Sequence, residues 1–292
     1  MKAAAFSYAR PKRLDDVLQL LQEHGDEARL LAGGQTLLAT LNMRLSEPAL
    51  LIDLQSVTEL KGLSVLGSTL RIGALVTHTE IENSPLVARH IPLLHAAAPH
   101  IAHRAIRNLG TLGGSIAYGD PAAEWPACLL ALNGVVVVRN LTAERRIAAD
   151  DFFTGLYTTA LAADEIIVAC EFPIFKPEQV FHFTELARRH GDYAVVGLAA
   201  TASISQGQIT SVRLAWLGVG STPVRSAAAE QALTGRPLDA DSLAKAVAAL
   251  RRELAPLPDL THSEAAKRQL ASVLLKRALE SWTQPAALAA LA

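Results

Sequence analysis

Residues 30–54 read LLAGGQTLLATLNMRLSEPALLIDL, and residues 106–127 read IRNLGTLGGSIAYGDPAAEWPA. Each stretch sets a Gly-Gly pair, Gly33-Gly34 or Gly113-Gly114, ahead of an apolar segment with helical character. Glycine permits positive φ and lets a backbone approach a ligand closely. Successive N–H groups in such a turn form a concavity for anions, and a helix starting behind it adds partial positive charge. Thr36, Thr111 and Ser115 add hydroxyl donors. One such loop is common in plain turns; two of the same design point to a pair of turns gripping one extended diphosphate. Neither loop matches G-x-G-x-x-G or G-x-x-x-x-G-K-[ST], so a dinucleotide-binding Rossmann unit and a P-loop NTPase both lose support.

Outward from these loops the chain alternates strand and helix. Leu14 to His24 carries Val17, Leu18, Leu20 and Leu21 at helical spacing and stops at Gly25. Ala28 to Leu31 and Leu50 to Leu54 read as strands, with Thr36 to Arg44 helical between them. Leu63 to Ala74 reads as two short strands around Gly67-Ser68. Thr77 to Ile106 is mainly helical, punctuated by Pro85, Pro92 and Pro99. A helix starting at Asp120-Pro121 runs through Trp125 to Leu132, followed by strands at Gly134 to Arg139 and Ile166 to Phe172. The texture changes around Pro173 to Pro177. Beyond it lie long strand-like runs, Ala194 to Ser205 and Val212 to Val219, joined by a hairpin at Gln206-Gly207. Helices at Ser242 to Leu254 and His262 to Trp282 close the chain, and the Ala/Leu tail after Pro285 reads as a fraying end. An α/β or α+β unit followed by an antiparallel sheet backed by helices fits this order.

Composition sets bounds on function. At 292 residues the chain is long for one domain and comfortable for two. Half the residues are hydrophobic and the net charge is −1, which gives no support for nucleic-acid or anionic-membrane binding. No run approaches the ~20 apolar residues of a membrane span, and the N-terminus MKAAAFSYARPKRLDD does not read as a signal peptide. Cys128 and Cys170 sit in apolar runs as small core residues; two thiolates cannot hold an iron–sulfur cluster that needs four.

The two glycine stretches resemble the FAD motifs of the medium subunits of carbon monoxide dehydrogenase and related molybdenum hydroxylases, the xanthine dehydrogenase family. HGDYAVVGLAA, residues 190–200, resembles the motif that opens their C-terminal domain, and similarity runs from FSYARPKRLDDVLQLLQEHG, residues 6–25, to the terminal helices. The resemblance implies an α+β fold: a two-lobed, PCMH-type FAD-binding domain over 1–175, with lobes of about 1–57 and 58–175, then a C-terminal flavoprotein domain of antiparallel sheet plus helices over 176–292. It implies FAD held at Ala32, Gly33, Gly34, Gln35 and Thr36 and at Thr111, Gly113, Gly114 and Ser115. It also implies contacts from Glu124, where relatives often carry a shorter aspartate, and from Tyr193 near the isoalloxazine. The implied role is electron transfer on FAD in a heterotrimeric-type, cytoplasmic oxidoreductase. A large subunit holds molybdopterin and sets the substrate, a small subunit holds two [2Fe–2S] clusters, and the assembly is a dimer of heterotrimers. The chemistry belongs to the flavin, so no catalytic acid, base or nucleophile and no metal ligand is assigned to this chain. A stand-alone FAD-dependent oxidoreductase and a cofactor-free assembly subunit are the rival readings.

Several residues carry two readings. Asp120 either caps the helix starting at Pro121 or contacts the ligand. Tyr193 contacts the flavin or packs as a strand residue. Arg188 and Arg189 contact FAD or a partner, or form a solvated cluster. His95, His100 and His103 lack a carboxylate or cysteine set to complete a metal site, and His78 either caps or lines the cleft or is an ordinary loop residue.

Overall fold

A computed structural model describes residues 2–283; the Ala/Leu tail after Pro285 lies outside the described residues. The first helix, Leu14–His24, turns Leu14, Val17, Leu18 and Leu21 inward, the i, i+3, i+4, i+7 stripe of a helix with one buried face. Asp15 and Asp16 sit in its first turn and His24 in its last, each favourable to the helix dipole. The helix covers a small parallel sheet of strands β1 (Ser7–Ala9), β2 (Ala28–Leu31) and β3 (Leu50–Asp53), with β3 in the centre. The four residues of β3 are all buried, as a central parallel strand requires.

A second sheet is antiparallel and five-stranded. Its strands are β4 (Leu63–Leu66), β5 (Thr69–Gly73), β6 (Val135–Arg139), β7 (Glu144–Ala148) and, after a small hairpin of β8 (Phe153–Gly155) and β9 (Thr158–Thr159), β10 (Ile166–Pro173). The spatial order is β4-β5-β10-β6-β7. Central β10 is buried along seven of its eight residues, IIVACEF. Ile166, Val168 and Ala169 join the core of the small parallel sheet, whereas Ile167, Cys170 and Phe172 join the core beneath the helices. Burial on both faces explains why this strand reads as one apolar run.

The C-terminal sheet joins β11 (Gln179–Leu186), β12 (Val196–Ser205), β13 (Gln208–Leu217) and β14 (Val224–Arg225) in sequence order. Its pleat divides side chains between two cores. Val196, Leu198, Ala200 and Ala202 with Leu214 and Trp216 face the helices Ala240–Glu253 and Glu264–Trp282. Ala199 and Ala215 face the other way, into the core of the first domain. Small side chains there let the helix Glu124–Ala131 lie close against the sheet, and all eight of its residues are buried. Thr201 donates its hydroxyl to Ala131 O at 2.8 Å, Arg213 donates Nε to Leu130 O at 2.7 Å, and Gly218 N–H reaches Pro121 O at 2.9 Å. The C-terminal sheet thus caps one end of this helix and braces the turn before the other.

The α+β class expected from the sequence is the fold found. Several details differ, among them the short strands β1, β7, β8 and β9, for which there was no expectation. The helix expected from Pro121 starts at Glu124; Asp120 Oδ1 accepts from Ala122 N–H at 2.9 Å, so Asp120 caps a turn and not the helix. β11 forms where no strand was expected, and a further helix, Ala227–Leu233, precedes the closing pair. The Gln206-Gly207 hairpin is present, with both residues at positive φ, 50° and 74°.

Leu18 is fully buried in the core of the small parallel sheet. Leu18→Ala is expected to cost about 2–5 kcal/mol, read as a lowered urea midpoint with unchanged m. Tyr193→Ala, which removes a side chain 66% exposed, is expected to leave that midpoint unmoved.

Candidate cofactor site

The two glycine loops meet. A Cβ built on Gly33 would lie 2.1 Å from Leu109 O and 2.8 Å from Gly110 Cα, so the backbone of the first loop rests directly on the residues preceding the second. Only glycine fits there. Gly114 faces the same junction, with a built Cβ 3.7 Å from Ala32 Cβ. The sequence-expected Ala32, Gly33, Gly34, Gln35, Thr36, Thr111, Gly113, Gly114 and Ser115 therefore form one neighbourhood.

Within it the loops differ in what they offer. After Leu31 the chain turns through Gly34 at φ +69° into the helix Leu37–Asn42. The N–H groups of Gly33, Gly34, Gln35, Thr36 and Leu37 have no acceptor among the described residues. Five consecutive unpaired donors in a partly exposed turn are available to an anion. In the second loop the donors are already engaged: Leu112 N–H on Val76 O at 3.0 Å, Gly113 N–H on Ala74 O at 2.9 Å, Gly114 N–H on Thr111 Oγ1 at 3.1 Å, and Ser115 N–H on Thr111 O at 3.1 Å. A Cβ on Gly113 would meet Ala74 Cβ at 2.5 Å, so Gly113 seats the loop against the end of β5. This loop leaves the hydroxyl of partly exposed Ser115 for a ligand, while buried Thr111, whose Oγ1 already accepts from Gly114, keeps only its hydroxyl proton to donate. The equal design read from the sequence becomes a difference, one loop with free N–H groups and the other with its N–H groups largely engaged and bearing hydroxyls.

The second loop is held from behind. His78 N–H donates to Gly110 O at 2.9 Å, and its ring lies against Gly110, whose built Cβ would meet His78 Nε2 at 2.7 Å. His78 Nδ1 accepts the indole N–H of Trp125 at 2.9 Å, which fixes the proton on Nε2. Burial holds the imidazole neutral, its pKa lowered to about 4, with the Arg107 charge adding to the effect. His78 is therefore a buried strut between the second loop and the helix Glu124–Ala131.

Carboxyls and phenols gather around the start of the helix Glu124–Ala131. Glu124 is buried at the first position of its helix, and burial pushes its pKa up to about 8, reinforced by the charge of Glu185 and then of Asp120. Asp120 is raised by burial against its turn hydrogen bond to Ala122. Glu185 comes from β11; one oxygen lies 3.4 Å from His100 Nδ1 and the other is buried without a partner. Tyr193 is exposed, and partial desolvation followed by the charge of Asp120 raises its phenol pKa. Tyr118 and Tyr157 lie beside it in the same field, their rings 5.0 Å apart. The sequence reading missed these two tyrosines, Glu185 and Arg107. Tyr118 stands inside the second glycine motif, which was signal enough; Tyr157 shows itself only by its φ of +51°. Arg188 and Arg189 are exposed beside Asp192. Among the described residues no group of three or more His, Cys, Asp or Glu is arranged to hold a metal ion.

A flavin dinucleotide fits these residues. Five free backbone donors suit a diphosphate, and the nearby carboxyls and hydroxyls suit a ligand rich in hydroxyl groups. Comparison with known proteins agrees. Residues 4–175 match the family of the FAD binding domain in molybdopterin dehydrogenase, and residues 181–282 match the CO dehydrogenase flavoprotein C-terminal domain. The nicotine 6-hydroxylase medium subunit of Paenarthrobacter nicotinovorans is 42% identical, covering 96% of this chain and 98% of its own. Carbon monoxide dehydrogenase from Hydrogenophaga pseudoflava superposes with a TM-score of 0.94 at 35% identity, with all of both chains covered. Quinoline 2-oxidoreductase from Pseudomonas putida 86 superposes with a TM-score of 0.92 at 37% identity, also over all of both chains. The chain belongs to the family of FAD-binding medium subunits of molybdenum hydroxylases.

The Glu124 carboxyl gives a pH signature. In the flavin-free chain it stays protonated up to about pH 8, whereas unfolded it ionises near 4.5. The native state therefore binds more protons in that window, and stability falls as pH rises through it, by up to about 1.4 kcal/mol per pH unit. Urea unfolding at several pH values is expected to show this slope in the native sequence and a shallower one in Glu124→Gln. Parallel curves would contradict the assignment.

Proposed function

We propose that the N–H groups of Gly33 to Leu37 hold the diphosphate of FAD and that the isoalloxazine lies at the Tyr193 end of the cleft. Five consecutive unpaired backbone donors facing a second, hydroxyl-bearing loop carry this reading. Ala32, Gly34, Gln35 and Thr36 shape the cradle. Thr111, Gly114 and Ser115 close its far side, with Gly113 seating that loop. Glu124, held neutral, presents a carboxylic acid that donates as well as accepts hydrogen bonds toward the cofactor's hydroxyl groups. A neutral acid suits this place, because a second charge beside a dianionic diphosphate would weaken binding.

The chain is an FAD-binding electron-transfer subunit of a multi-subunit molybdenum hydroxylase, an oxidoreductase component. FAD, when bound, accepts electrons and passes them on; the molybdopterin and [2Fe–2S] centres are carried by a large and a small partner subunit. This chain's residues bind the cofactor, orient its ring and limit water around it. No helix among the described residues is long and apolar enough to cross a membrane. Cys128 and Cys170 are buried and unpaired, which supports placing the protein in the reducing cytoplasm. We divide the chain after Phe175 into an FAD-binding domain, itself two lobes meeting near residue 57, and a C-terminal domain that closes over the cleft.

Purification of the native assembly with its absorption spectrum and metal content tests this. Flavin bands together with molybdenum, iron and two further chains are expected. Flavin in this chain alone, with substrate turnover by it, would replace the relay by an independent flavoenzyme, and a colourless native protein would leave only a scaffold.

A further inference from the structure

Arg107 is a buried arginine that the binding chemistry does not use. It ends the short helix Arg104–Arg107, and its guanidinium is spent on two tasks. Nε donates to Glu82 Oε2 at 2.9 Å and Nη2 reaches Glu82 Oε1 at 3.4 Å, a two-pronged pairing that fixes the plane of the group. Nη1 is then aimed at a bend of the main chain, toward the carbonyls of Ile101 at 3.1 Å, Ala102 at 3.3 Å and Pro99 at 3.4 Å. Ala102 is held at φ +45°, a conformation that a residue with a side chain adopts at a cost. Carbonyls drawn toward one cation account for that bend.

The bend receives the C-terminal domain. Gly191 lies against it: a built Cβ would meet Ala102 O at 2.6 Å and His103 Nδ1 at 3.0 Å, and Gly191 itself has φ +77°. Both the space and the dihedral exclude other residues. Gly191 is the tip of the loop joining β11 to β12. The base of that loop is closed by Val195 N–H on Leu186 O at 2.7 Å, and next to the tip Tyr193 N–H bonds Asp192 Oδ1 at 3.0 Å. Tyr193 stands between two fixed points, with an exposed ring that has no packing of its own to hold it. On the other side, Gly110 N–H bonds Ile106 O at 2.8 Å, so the helix that carries Arg107 leads straight into the second cofactor loop.

We infer that Arg107, the Ala102 bend and Gly191 form a latch between the two domains that stations Tyr193 over the cofactor cleft. Arg107 and Gly191 are positioning residues: they act on the flavin through Tyr193 and touch no part of it. The inference rests on the reading that Tyr193 contacts the ring. Because the latch and the wall of the cradle share one short helix, the grip on the diphosphate and the placement of the ring are mechanically joined.

The test is a double-mutant cycle in the assembled complex, reading bound-flavin fluorescence and the rate of flavin loss on dilution. Tyr193→Ala is expected to raise both, with flavin loss roughly tenfold faster, equivalent to losing one aromatic contact of about 1.4 kcal/mol. Gly191→Ala is expected to do nearly the same alone and nothing further when combined with Tyr193→Ala. Effects of the two substitutions that multiply would overturn the latch while leaving the Tyr193 contact standing. No effect of Tyr193→Ala would remove the contact and the latch with it. Arg107→Lys keeps a cation near Glu82 but cannot bind it in two prongs and reach the bend as well. It is expected to show the same dependence on Tyr193, and it serves as the second variant if Gly191→Ala does not assemble.

Discussion

The contact on which the site depends is the backbone of Gly33 lying on the carbonyl of Leu109. A hydrogen atom is the largest group that fits between the loops there, since a methyl carbon would sit 2.1 Å from the carbonyl oxygen. The first loop belongs to the small parallel sheet and the second to the antiparallel lobe. Their contact is therefore a lobe-to-lobe junction as well as a binding surface. The turn that it fixes keeps the N–H groups of Gly33 to Leu37 free of internal acceptors. Donors left free at a surface turn lose little, because water serves them. They gain strength when an anion replaces that water, because hydrogen bonds to charged groups are worth more than neutral ones.

The rest of the molecule supports that junction. His78 ties Gly110 to Trp125, so the second loop is rigidly linked to the most buried helix of the chain. That helix is gripped at its far end by Thr201 and Arg213 of the C-terminal sheet, while the turn before it is held by Gly218. The same turn and helix carry Asp120 and Glu124. Electrostatics would oppose placing a dianion beside this acidic rim if every carboxyl were charged. Burial answers this at Glu124, whose pKa it raises to about 8. A protonated carboxyl also keeps a donor that a carboxylate lacks.

The glycine loops were legible because close backbone approach leaves a mark in composition. Gly33 is glycine for the space beside Leu109, and no other residue type would read the same way. The terminal helices and the strand Ile166–Pro173 were legible from apolar pattern. β11 was legible too and was passed over: QVFHFTEL alternates Phe181 and Phe183 with His182 and Thr184, the pattern of a half-buried strand, and its polar groups meet partners from other elements, His182 Nδ1 lying 3.0 Å from Ser281 Oγ and Glu185 approaching His100. Pro121 suggested a helix start that Asp120 defeats by bonding Ala122. The unequal roles of the two loops could not be read either. They depend on Ala74 and Val76, some forty residues away, taking up the second loop's N–H groups. Arg107 looked like one more basic residue in a histidine-rich stretch, because nothing local shows that Glu82 and three carbonyls converge on it.

The most direct measurement of the central claim is the affinity of the flavin-free protein for FAD and for riboflavin, which lacks the diphosphate and the adenosine beyond it, in the native sequence and in Gly33→Ala. If the first loop is the anion nest and Gly33 holds it in place, FAD should bind at least about 100-fold more tightly than riboflavin. Gly33→Ala should abolish most of that difference while leaving riboflavin binding nearly unchanged. Equal affinities for the two flavins, or a Gly33→Ala protein that still prefers FAD as strongly, would contradict the account.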